Sequence, residues 1–63
     1  MRNTINEIDF EIMVEKAINS CKDSISFQIY GYSNQWVCDM AENLPDWIRE
    51  KIDYIGGAEI NFK

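Results

Sequence analysis

Ser24-Ile25-Ser26-Phe27-Gln28-Ile29-Tyr30-Gly31-Tyr32-Ser33-Asn34-Gln35-Trp36-Val37-Cys38-Asp39-Met40 is the stretch on which the fold turns. In its first part Ile25, Phe27 and Ile29 alternate with Ser24, Ser26, Gln28 and Tyr30. Successive side chains of a strand point to opposite faces, so this period predicts a strand with one buried and one wet face. Gly31-Tyr32-Ser33-Asn34 has turn chemistry. Gln35 to Met40 then reads as a return strand, with Trp36, Cys38 and Met40 on one side and Val37 and Asp39 on the other. Together the two strands predict a hairpin.

Upstream, Phe10, Val14, Ala17 and Cys21 recur at helical spacing, flanked by Met13 and Ile18, and predict a helix from Asp9 to Lys22. Asp9 can cap it, with Ile8 packing on Met13 as a staple, and Thr4 with Glu7 offers a rival capping box one turn earlier. Ile8, Phe10 and Ile12 also alternate with acids as in a strand, but Glu15-Lys16-Ala17-Ile18 extends the segment to helical length.

Downstream, Pro45 suits the first position of a second helix and Asp46 complements its dipole. Leu44, Ile48, Ile52 and Ile55 form its apolar stripe, and Gly56-Gly57 ends it, the first glycine in a left-handed cap. Ala58 to Lys63 reads as a last strand with Ile60 and Phe62 inward. The expectation is one α+β domain over residues 1–63, in the order α-β-β-α-β. Its three-stranded antiparallel sheet has strand order 2-1-3, with both helices on one face. The covered face carries Ile25, Phe27, Ile29, Trp36, Cys38, Met40, Ile60 and Phe62. Ser24, Ser26, Gln28, Tyr30, Val37, Asp39, Glu59 and Asn61 lie on the open one.

Charge narrows the partners. Eleven acidic residues against six basic give a net charge of −5. Phosphate backbones and anionic membranes repel such a surface, which argues against direct nucleic-acid or membrane binding and for a protein partner with a basic surface. No apolar run approaches the ~20 residues of a membrane span. Met1 to Glu7 lacks the apolar core of a secretion signal. The expectation is a cytoplasmic protein whose Cys21 and Cys38 stay reduced, as small core residues.

The chain has no histidine, which removes the usual neutral-pH base and the commonest metal ligand. Two thiols supply half of a zinc quartet, and Gly56-Gly57 follows a helix where a phosphate loop would open one. No catalytic residue, cofactor or metal is expected, and the chain reads as a non-enzyme.

The candidate binding residues are Asp46, Trp47, Glu50, Lys51, Asp53 and Tyr54. Asp46, Glu50 and Asp53 fall at i, i+4 and i+7 opposite the isoleucines, while Trp47 and Tyr54 flank Lys51 beside them. Glu7, Glu11 and Glu15 form a similar row if the first helix starts early. Such rows are ordinarily solvated faces, but carboxylates one turn apart, about 6 Å, also match the spacing of neighbouring phosphates. Tyr30 and Tyr32, on or near the open sheet face, would be a base-stacking platform in a basic domain. Here only Lys63 is near, so that role is not expected.

In size, acidity and richness in Ile and Asn the chain is similar to small products of bacterial mobile elements and phages, including inhibitors of host defence enzymes. No motif carries the likeness. It implies an inhibitor or regulator of a bacterial enzyme or complex, acting by occupying a basic nucleic-acid-binding surface. The alternative is a self-associating structural or assembly module. A homodimer is expected on either view, because strands two and three would be weakly defended sheet edges and so short a chain has a thin core.

Overall fold

A computed structural model describes residues 5–63. The elements run α1 (Glu7–Asn19), β1 (Ser24–Ser26), a 3-10 turn over Gln28–Tyr30, α2 (Asn34–Ala41), α3 (Asp46–Arg49), β2 (Ile52–Gly56) and β3 (Glu59–Phe62). The class is α+β with a three-stranded antiparallel sheet, as the sequence predicts. The strand order is β1-β3-β2, so the last strand is central.

Helix α1 begins earlier than expected. Asn6 is its N-cap, its side-chain oxygen accepting from the Asp9 N–H at 2.8 Å. The rival box through Thr4 lies outside the described residues. The helix buries Phe10, Val14 and Ala17, three of the four stripe positions. It stops at Ser20 because Cys21 turns left-handed, at φ 58. The Cys21 N–H then donates to the Ile18 carbonyl and the Lys22 N–H to the Ala17 carbonyl, which completes a Schellman cap. Cys21 is therefore exposed at the helix end, and Cys38 is only half-buried. Neither is the core residue that the apolar spacing suggests.

The predicted first strand is shortened to Ser24–Ser26. Its partner β3 begins immediately after a tight turn, so the ladder ends where the Phe27 N–H meets the Ala58 carbonyl. Phe27 turns into the core, and Ile29, expected inward, is 77% exposed on the 3-10 turn. Gly31, at φ 88, closes that turn.

The largest corrections concern residues 34–56. The expected return strand is helix α2. Ser33 caps it, its Oγ accepting from the Trp36 N–H at 3.1 Å, and the Gln35 amide donates to the Asp39 carboxylate one turn on. Val37, Ala41 and Leu44 recur at helical spacing and are buried. The expected second helix survives as one turn, α3, with Pro45 as its N-cap. Ile52-Asp53-Tyr54-Ile55 instead forms β2, in keeping with the strand preference of Ile and Tyr. Gly56 is the last residue of β2. Gly57 and Ala58, both at φ 60, make the two-residue turn to β3. Positive φ at both central positions is the signature of a type I′ hairpin. The hairpin is therefore β2–β3.

Within the sheet Ile25 pairs with Ile60 and Ile60 with Ile55, all on the covered face. Ser24, Ser26, Glu59 and Asn61 occupy the open face as expected, with the Ser24 hydroxyl donating to Glu59 at 3.0 Å. The core joins Phe10 and Val14 of α1, Phe27, Val37 and Ala41 of α2, Ile48 of α3 and Ile60. Phe10 and Phe27 lie 4.8 Å apart between ring centroids, and Trp36 meets Phe10 edge-on at 5.5 Å. Tyr32 stacks on Trp36 at 3.9 Å, and its hydroxyl accepts from the Ile5 N–H. Tyr32 thus belongs to the rim of the core and not to the open sheet face.

Candidate functional site

Two surfaces emerge once α1 is placed. With 3.6 residues per turn and Phe10, Val14 and Ala17 facing inward, Glu7, Glu11 and Glu15 lie along one flank. Because the helix starts at Glu7, the row is continuous, with side chains about 6 Å apart. Ile8 and Ile12 stand on the crest beside it, 71% and 42% exposed. Of the row only Glu7, in the first turn, favours the helix through its dipole, and Glu11 and Glu15 lie beyond that turn. Like charges four residues apart oppose the helix by a few tenths of a kcal/mol per pair.

The opposite flank of α1 faces β1. Between them lies a groove of about 420 Å³. Met13 and Ala17 line it from the helix, Ile25 from the strand, and Ile29 and Tyr30 from the 3-10 turn. Lys16 and Lys22 stand in the same lining, which contains no carboxylate. The exposure of Ile29 has no sequence signature, since its position in the alternation predicts burial.

The residues singled out from sequence do not form one helical face. Asp46 and Trp47 are on α3, Glu50 is its C-cap, Lys51 is in the following turn, and Asp53 and Tyr54 are in β2. All six are exposed. Asp46 and Glu50 remain one turn apart, but Asp53 sits at a β-bulge between Ile52 and Tyr54, where the helical register no longer applies. Arg49 approaches Asp46 at 4.0 Å, an exposed pair that contributes at most about 1 kcal/mol. Tyr54 pairs with Asn61 and lies on the open sheet face over Gly56, so it shares no helical side with Trp47.

Glu50 and Lys51 instead line a cleft of about 470 Å³ with Cys21, Lys22, Asp23 and Lys63. Its three ammonium groups and two carboxylates give it mixed charge. Among the described residues no three Cys, Asp or Glu side chains gather closely enough to hold a metal ion. No helix among them is long and apolar enough to cross a membrane. In comparisons with known proteins, no family model, curated protein or solved structure matches the chain.

Proposed function

We propose that the protein is a non-enzymatic, cytoplasmic binding protein. It would inhibit or regulate a bacterial enzyme or complex by covering a basic surface that otherwise takes nucleic acid. The observation that carries this reading is the outer surface of α1, where Glu7, Glu11 and Glu15 run beside exposed Ile8 and Ile12. Carboxylates at phosphate-like spacing supply charge complementarity to a basic groove, and apolar contact on the crest adds affinity that salt does not screen. The acids of α3 and β2 are more scattered and make a second, weaker candidate surface.

Pull-down from a bacterial lysate at low and high salt tests this reading with three baits. These are the unaltered chain, Glu7→Lys/Glu11→Lys/Glu15→Lys, and Asp46→Lys/Glu50→Lys/Asp53→Lys. All the substituted positions are at least partly solvent-accessible, so the fold should survive. The expected result is a partner held at low salt, weakened at high salt and lost in the α1 variant. Undiminished capture by the α1 variant would remove the reading for that face. Loss only in the second variant would move the site to α3 and β2.

A further inference from the structure

The groove on the other flank of α1 has a recognition chemistry of its own. Among the described residues β1 is an edge strand, paired only with β3. The Phe62 N–H donates to the Asp23 carbonyl and the Phe27 N–H to the Ala58 carbonyl, so residues 23 and 27 turn their ladder groups toward β3. An antiparallel ladder alternates, which directs the N–H and C=O of Ser24 and Ser26 to the free side. That free edge opens into the groove lined by Met13, Ile25, Ile29 and Tyr30. The edge lacks the usual defences of proline, a bulge or a charged strand residue, and only its three-residue length limits it. The other edge, β2, carries both a bulge and Asp53.

We propose that the β1 edge and this groove receive an extended peptide segment of a partner protein, one whose groove-facing alternate positions carry both apolar and acidic side chains. Main-chain hydrogen bonds to Ser24 and Ser26 add it as a fourth strand. Alternate side chains of a strand point the same way, and Lys16 and Lys22 share one groove with Ile25 and Ile29, so the positions that enter the groove supply apolar side chains against Ile25 and Ile29 and acidic ones against Lys16 and Lys22. Charge selects this occupant. On a chain of net charge −5, Lys16 and Lys22 line a groove that holds no carboxylate. A second copy fits less well, because two β1 strands paired about a two-fold axis would merge their grooves and bring four lysines into one seam. The site is on a different flank from the acidic row and does not depend on the function proposed above.

The test is an NMR titration of the isotopically labelled chain with a short synthetic peptide that, as a strand, carries valine and glutamate on one face and serine on the other. Saturating shifts are expected at Met13, Ser24, Ser26 and Ile29, with slowed amide exchange at Ser24 and Ser26. Lys16→Glu and Lys22→Glu should each weaken binding about five-fold, the range of an exposed charge pair. The same peptide methylated on alternate backbone nitrogens, which leaves the protein untouched, should not bind. Four results would overturn the proposal. One is no saturating shift, and another is equal binding of a peptide with lysine in place of glutamate. The third is shifts confined to the Ile8 and Ile12 crest. The last is the same Ser24 and Ser26 shifts on concentrating the protein alone, which would make the edge a self-association seam.

Discussion

Cys21 and Ala58 are the two described residues other than glycine with positive φ, at 58 and 60. For a residue with a Cβ, the left-handed conformation costs about 1–2 kcal/mol. The two sites differ in what compensates. Ala58 is buried, its N–H donates to the Asn34 side chain at 3.0 Å, and its carbonyl receives the Phe27 N–H. Cys21 is exposed and gains only the two backbone bonds of the helix cap, which a glycine would keep. Cys21→Gly should therefore stabilise the fold by about 0.5–1 kcal/mol, after allowing for the extra freedom of glycine in the unfolded chain. A urea midpoint that rises at unchanged slope would show this, and a fall would mean that the thiol makes contacts its exposure does not suggest. At Gly57 the reverse holds. A Cβ there meets nothing within 4 Å, so the roughly 1 kcal/mol cost expected for Gly57→Ala is backbone strain alone.

At the scale of elements, the junction between α2 and the β2–β3 hairpin decides the topology. Asn34, the first residue of α2, accepts the Ala58 N–H with its side-chain oxygen and so fastens the helix start to the hairpin turn. Asn34→Ala would leave that N–H without a partner beside the core and should cost about 1–3 kcal/mol. Asn34→Asp keeps an acceptor at a helix N-terminus, where negative charge is favoured, and should lose much less. Thermal or urea unfolding of the pair measures the difference, and equal losses would mean that the side chain serves only as spacing. This junction was illegible in the sequence because its contacts are long-range. Residues 36–44 satisfy two periods at once, Trp36, Cys38 and Met40 in twos, and Val37, Ala41 and Leu44 in threes and fours. Ser33 as a cap decides for the helix, and in the sequence it reads equally well as a turn residue. Where one period dominates, the body of the element is legible but not its end, since Cys21 and Ile29 fit their patterns and are exposed. Phe10, Val14 and Ala17 of the α1 stripe are buried, and the faces assigned to Ser24, Ile25, Ser26, Glu59, Ile60 and Asn61 are those observed. The acids were legible as exposed side chains. Their grouping was not, since the row at Asp46, Glu50 and Asp53 depended on a helix that ends at Arg49.

For the whole molecule, the distribution of charge and apolar surface bears on association. The homodimer expected from sequence rested on strands two and three as poorly defended edges and on the thin core of so short a chain. The edges are in fact β1 and β2, and β3 is enclosed between them. β2 is interrupted by its bulge and carries exposed Asp53, while β1 has three residues beside Lys16 and Lys22. Outside the groove, the exposed large apolar side chains among the described residues are Trp47, Tyr54 and the Ile8–Ile12 pair, and of these the pair on the α1 crest is grouped on one helix. An antiparallel pair of α1 helices about a two-fold axis would bury Ile8 and Ile12. It would also put both Glu7, Glu11 and Glu15 rows on the same side of the seam. Burying two isoleucines on each side removes a few hundred Å² of apolar area at most, worth several kcal/mol at about 25 cal/mol per Å². Lost translational and rotational freedom alone costs about 4–15 kcal/mol, before six carboxylates are brought together. On the observed geometry the free chain should be a monomer at micromolar concentration, its crest and groove left open to other proteins. Sedimentation equilibrium should give a mass near 7.4 kDa at every concentration. A mass rising toward twice that value would instead show self-association, and NMR shifts on concentration at Ile8 and Ile12, and not at Ser24 and Ser26, would place the seam on the α1 crest.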